Sequence, residues 1–115
     1  PFGRISELYA NNTGAPPFEL ARTWREAQPQ LNGETILSVA TTNDIIGGNS
    51  GSATLNANGE LVGLAFDGTL DGVISDWWFD TAINRTIHVD ALYMRWVMDK
   101  VDGAKRLLDE MEVAK

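Results

Sequence analysis

Apolar and polar side chains alternate most clearly in two stretches of this chain. Thr35 to Thr41 sets Ile36, Leu37 and Val39 in a short β-prone run, and Thr86 to Asp90 alternates Thr86, His88 and Asp90 against Ile87 and Val89. Each reads as a strand, the second with one face buried. Between them, Ala53–Asn56 and Leu61–Phe66 flank Asn56-Ala57-Asn58-Gly59. That pattern is a hairpin, because Asn-Gly supplies the positive φ angles of a tight reverse turn. The two ends of the chain carry a helical period instead. Leu20 and Trp24 stand four apart within Phe18–Ala27, a segment that Pro16-Pro17 precede and Pro29 stops. Proline suits the start of a helix and breaks its interior. From Ala91 onward, Leu92, Trp96 and Val101 predict one apolar helical face, loosened at Gly103 and continued by Leu107, Leu108 and Met111. Ile5–Tyr9 suits a single helical turn, while 11–17 and 68–72 read as loops from their Asn, Gly and Pro content. The order is a helical and loop approach over 1–34, a β-rich middle over 35–90 and a C-terminal helix over 91–115.

A chain of 115 residues allows one small domain or part of a larger one. It opens at Pro1 with no charged-then-apolar leader, and is read as a fragment whose targeting information lies upstream. Sixteen acidic residues against nine basic give a net charge of −7, and no Lys/Arg-rich run offsets it. This argues against a nucleic-acid backbone as partner. The apolar stretches are too short to span a bilayer. Cysteine is absent and histidine occurs once, so any metal would rest on carboxylates. Asp71, Asp76 and Asp80 read as solvated acids, and neither a metal nor a cofactor is expected.

Chemistry enters between the first strand and the hairpin, in Thr42-Asn43-Asp44-Ile45-Ile46-Gly47-Gly48-Asn49-Ser50-Gly51-Ser52. A tight Gly-x-Ser-Gly turn can present a hydroxyl beside inward-pointing backbone N–H groups, as chymotrypsin-like peptidases do. On that reading Ser50 is the nucleophile, and the amides of Gly48 and Ser50 form the hole for a tetrahedral oxyanion. A glycine-serine linker is the plain alternative. A phosphate cradle would need a following lysine and helix. An α/β-hydrolase elbow would also open a helix, whereas Ala53 onward runs into a turn. A serine further needs a base. His88 lies on an alternating strand and reads as a surface or partly buried strand histidine, not as that base.

The flanks of the turn make the pattern specific. Thr42–Ser52, followed by Asn58-Gly59-Glu60-Leu61-Val62-Gly63-Leu64-Ala65-Phe66-Asp67-Gly68, resembles the bacterial dipeptidyl-peptidase 7/11-type serine exopeptidases. The likeness resumes in Arg85–Asp90, Tyr93, Asp99-Lys100 and Gly103–Met111. It implies a mainly β fold: the second, C-terminal β-barrel of a chymotrypsin-like double barrel, incomplete here, with flanking helices and a C-terminal helix. It also implies a periplasmic or cell-surface enzyme of a Gram-negative bacterium that removes dipeptides from the free N-terminus of oligopeptides. The histidine and aspartate of the triad would lie upstream of this chain. Ser50 matches the nucleophile, and Gly48 with Ser50 matches the oxyanion-hole amides. Asp67 matches the acid that holds the substrate's N-terminal ammonium. Gly68 matches the position where arginine accompanies acidic P1 residues; glycine there implies an apolar pocket and the hydrophobic P1 preference of the type-7 enzymes. Without the resemblance, Asp67-Gly68 is an ordinary turn dipeptide. Ala53-Thr54 depart from the proline and branched residue that usually follow Gly-x-Ser-Gly-Ser, and mark either a relaxed strand start or a divergent member.

Without its base the isolated chain is expected to be inactive. Two other readings stay open. One is a non-catalytic half-barrel that forms a homodimer or exchanges strands through the apolar side its missing half would cover. The other is a fragment of a chymotrypsin-like endopeptidase. Trp77-Trp78-Phe79 reads as packing over the barrel in preference to a substrate subsite. Asn49 cannot form the ion pair with a freed N-terminus that matures trypsin-like zymogens.

Overall fold

The alternating runs and the hairpin become strands of one sheet in the computed structural model, which describes residues 2–111. The strands are β1 (Phe2–Arg4), β2 (Ile36–Thr41), β3 (Ala53–Leu55), β4 (Leu61–Gly68) and β5 (Thr86–Asp90). Their order is β1-β2-β5-β4-β3, and each neighbouring pair is antiparallel. β1 is too short to show a period, yet it pairs Phe2 with Val39 and carries the approach segment into the sheet. β1 and β3 are the outer strands, so the sheet is open and does not close into a barrel.

Among the described residues four α-helices flank it: α1 (Ile5–Ala10), α2 (Arg22–Ala27), α3 (Ala91–Lys100) and α4 (Lys105–Glu110). α2 begins at Arg22, not at Phe18. The paired prolines sit instead in a closed loop, with the Pro16–Pro17 peptide cis. There the Thr13 amide donates to the Phe18 carbonyl, and Asn12 Oδ1 accepts the amides of Gly14 and Leu20. The C-terminal stretch expected as one helix is two, because Gly103 turns the chain at φ +62° between α3 and α4. The end of the expected tail, 112–115, lies outside the described residues.

Asp90 closes β5 and opens α3: its carboxylate accepts the Tyr93 amide at 2.9 Å, an N-cap bond. This places Tyr93 and Trp96 against Trp24 of α2, with ring centroids 6.1–6.4 Å apart. The Tyr9 hydroxyl of α1 donates to the Trp24 carbonyl at 2.6 Å and ties in the third helix. Desolvation, and then the charges of Tyr9 and Asp102, push the Tyr93 phenol up to about 12. The apolar core is thin. Among the described residues Ile5 and Ala65 are its buried apolar members, and Leu70, Val73, Trp77, Trp78 and Leu92 all stand exposed. The radius of gyration is 15.8 Å, against about 13.4 Å for a compact chain of this length.

β5 buries the face that its sequence marks as polar. Thr86 and His88 are 1% and 2% exposed, whereas Ile87 and Val89 are only half-buried. His88 is therefore more deeply enclosed than a surface or partly buried strand residue. The reason is full hydrogen bonding: Thr41 Oγ1 lies 2.7 Å from His88 Nε2 and Thr54 Oγ1 lies 2.6 Å from Nδ1. Burial holds the imidazole pKa below its ordinary 6.5. The folded chain thus keeps a neutral ring where the unfolded chain takes up a proton. Stability from the neutral ring is complete above pH 6.5 and is lost as pH falls below it toward the depressed folded value. The slope is at most about 1.4 kcal/mol per pH unit. Urea midpoints should fall between about pH 6.5 and 5 relative to those of His88→Gln, since carboxylates titrate lower. Parallel pH curves for the two proteins would exclude this linkage.

Candidate functional site

The loop from β2 to β3 is built from two consecutive turns. The Asn49 amide donates to the Ile46 carbonyl at 3.2 Å, and the Ser52 amide donates to the Asn49 carbonyl at 2.9 Å. Gly48 (φ +100°) and Gly51 (φ +86°) occupy the third position of each, where a type II turn requires positive φ. Ser50 is left at the second position of the second turn, exposed at its crest. Asn49 staples the pair together, its Oδ1 accepting the Ile46 amide at 2.8 Å. The Gly51 amide is consumed by the Ala65 carbonyl of β4 at 2.7 Å. Among the described residues no acceptor takes the amide of Gly48 or of Ser50. These two unspent N–H groups flank the Asn49 amide, which is itself spent on the Ile46 carbonyl.

Ser50, Asp67 and Gly68 line one cleft of about 300 Å³ between this loop, the end of β4 and the 70–86 segment. Gly48 stands next to it in the turn and is not among the lining residues. A bulge in β4 sets which way Asp67 faces. Ala65 pairs with His88, and the next pair is Asp67 with Ile87, so Phe66 is the extra residue. Strict alternation would have put the Asp67 carboxylate on the buried face beside Ala65. The bulge turns it out and sets Gly68 opposite Thr86 instead. Asp67 Oδ1 then accepts the Gly68 amide at 2.8 Å.

The cleft wall is apolar at Ile45, Phe66, Val73 and Phe79, and acidic at Asp44 and Asp76 as well as Asp67. Its cation is Arg85, and that guanidinium is already engaged. It donates to the carbonyls of Thr81 and Asn84 at 2.7 Å and of Ala82 at 3.3 Å. Three bonds hold the walls in place. Thr86 Oγ1 donates to the Asn43 carbonyl at 2.6 Å, Ser75 Oγ donates to the Ile45 carbonyl at 3.4 Å, and the buried Asn84 accepts the Asp80 amide at 3.0 Å. None of these partners carries a sequence motif, since each pairs residues that are distant in the chain or turn on local side-chain choice. Trp77 and Trp78 do not pack over the sheet as expected: they are 90% and 70% exposed, and only Phe79 of the trio lines the cleft. Among the described residues no group of three or more His, Asp and Glu is placed to hold a metal. No described helix is long and apolar enough to cross a membrane.

Comparison with known proteins agrees with this architecture. The model of the family described as Peptidase S46 matches residues 1–113. An Asp/Glu-specific dipeptidyl-peptidase of Shewanella putrefaciens is 31% identical, matching all of this chain and 20% of its own length. A dipeptidyl-peptidase 7 of Phocaeicola vulgatus is 48% identical over 71% of the chain and 11% of its own length. The crystal structure of Porphyromonas endodontalis DPP11 with the dipeptide Arg-Asp superposes with a TM-score of 0.90 at 26% identity. It covers 96% of this chain and 17% of the crystallised one. The chain thus spans one fifth or less of these relatives.

Proposed function

Because this chain belongs to the peptidase S46 family, we propose that it is the nucleophile-bearing segment of a bacterial serine dipeptidyl-peptidase, acting in the periplasm or at the cell surface. The observation that carries this reading is the single cleft shared by Ser50, Asp67 and Gly68. Ser50 Oγ attacks the scissile carbonyl as a base from the rest of the enzyme takes its proton. The amides of Gly48 and Ser50, unspent within the turn, donate to the oxyanion that forms. Collapse expels the shortened peptide as its amine is protonated, and leaves the N-terminal dipeptide as an ester on Ser50. Water then hydrolyses that ester. The Asp67 carboxylate receives the substrate's ammonium, a charge-assisted contact available only to a free N-terminus. That fixes the count at two residues.

The cleft also supports a hydrophobic P1 residue over an acidic one. Its wall offers Ile45, Phe66 and Val73, Gly68 leaves it open, and Arg85 has its guanidinium turned to backbone carbonyls. An acidic side chain would meet Asp44 and Asp76 without a free cation to pair it.

The test is dipeptide release from one peptide with a free and with an acetylated N-terminus. The full-length enzyme should cleave only the free form, and the 115-residue chain alone should cleave neither. Cleavage of the acetylated peptide would make the parent an endopeptidase. Ser50-dependent release by the chain alone would overturn the need for an outside base. Failure of every form to release dipeptide would leave the self-associating half-barrel as the reading.

A further inference from the structure

His88 is buried, is fully hydrogen-bonded and has no part in the chemistry above. Its two partners are placed where the serine loop begins and ends. Thr41 is the last residue of β2, Thr54 lies in β3, and between them runs the loop that carries Ser50, up to Ala53 at the start of β3. These partners are not neighbours in the sheet. From β5 the imidazole reaches Thr41 on the adjoining β2, and on its other side it passes over β4 to reach Thr54 on β3. The passage exists because β4 presents only Gly63 and Ala65 beneath the ring. A Cβ at Gly63 would stand 3.3 Å from the His88 Cβ and 2.8 Å from the Val89 carbonyl oxygen.

The hydrogen bonds also fix the tautomer. Thr41 has one hydroxyl proton to give, and its Oγ1 lies 2.6 Å from the acceptor Asn43 Oδ1. With that proton donated to Asn43, Thr41 Oγ1 accepts from His88, so Nε2 carries the ring proton. Nδ1 is then bare and accepts from the Thr54 hydroxyl. The chain of donors runs one way, from Thr54 through His88 and Thr41 to Asn43. Asn43 is in turn held through its carbonyl by Thr86, and it lines the cleft with Ser50.

We propose that His88 is a positioning residue for Ser50, a latch that, as the neutral Nε2–H tautomer, ties together the two flanks of the serine loop across the sheet. The latch itself stands on geometry alone; its bearing on catalysis rests on the peptidase reading above. The ring touches no reacting atom. It fixes the span from Thr41 to Thr54, and through it the place of Ser50 relative to Asp67 and Gly68.

Two structural measurements and one kinetic one, all on the full-length enzyme, test it. Ring-nitrogen NMR of His88, its signal assigned by loss in His88→Gln, should give a protonated Nε2 and a bare Nδ1 at neutral pH; the opposite tautomer would overturn the relay. Thr54→Val keeps the shape and removes one hydroxyl. It should raise amide exchange at Gly51 and Ser52 about tenfold and leave Leu64 and Val89 nearly unchanged. No rise at the loop, or an equal rise through the whole sheet, would reduce His88 to an ordinary core residue. In the enzyme, Thr54→Val should lower kcat with KM unchanged, and Thr54→Ser should restore it. An unchanged kcat would sever the latch from catalysis. If the enzyme releases no dipeptide at all while the exchange pattern comes out as expected, the peptidase reading fails and the latch stands.

Discussion

Ser50→Ala in the full-length enzyme should lower kcat for dipeptide release on the order of 10⁶-fold, the scale of nucleophile removal in serine peptidases. KM should barely move. The substitution deletes one exposed oxygen and spares the bonds that shape the loop. Those come from the amides of Asn49, Gly51 and Ser52 and from the Asn49 side chain. On the proposed reading, Asp67 and the apolar wall still take the substrate, so the loss falls on the covalent step. The melting temperature should match that of the unsubstituted enzyme, which separates lost chemistry from lost fold. Residual activity above about one per cent of the parent would remove Ser50 from the nucleophile role, because the oxyanion hole and binding alone retain far less.

If the proposed reading of the cleft holds, Gly68→Arg should invert the hydrophobic P1 preference proposed above. The glycine does not use the left-handed region, and a Cβ there meets Arg85 O at 3.7 Å and Ile45 Cδ1 at 3.9 Å, ordinary contacts. A side chain is therefore accommodated by the backbone and directed to the Ile45 wall. The introduced guanidinium crowds the apolar surface and offers a bidentate partner to an acidic P1 carboxylate. The ratio of kcat/KM for acidic over hydrophobic P1 should rise by about 10²- to 10⁴-fold, as expected where one group both repels one substrate and pairs the other. Asp44 and Asp76 compete for the new cation, so hydrophobic substrates should lose more than acidic ones gain. An unchanged ratio would take Gly68 out of P1 selection.

What could be read from the sequence was what depends on near neighbours. β2, the β3–β4 hairpin and β5 follow from alternation and from Asn58-Gly59. The turn around Ser50 follows from glycines whose positive φ only they adopt cheaply. Long-range satisfaction was not legible. Thr86 and His88 look like an outward face until Thr41, Thr54 and Asn43 are brought beside them, residues 34 to 47 positions away in the chain. α2 starts later than the paired prolines suggest because Asn12 closes a loop around them, a contact that no rule of helix starts contains. β1 has too few residues to show a period at all. Trp77 and Trp78 read as packing because aromatic residues usually pack, and among the described residues no surface covers them.

The extra residue in β4 has a consequence for how such a sheet can change over time. Core and recognition are counted on different frames in the same strand: up to Ala65 the side chains keep step with β5, and from Asp67 they are offset by one. Loss of Phe66 would restore unbroken pairing and make the sheet more regular. It would also swing the carboxylate inward and the glycine outward, taking both from their present places in the cleft in a single event. At that one position, order in the ladder and usefulness at the surface pull in opposite directions, and this chain keeps the irregularity.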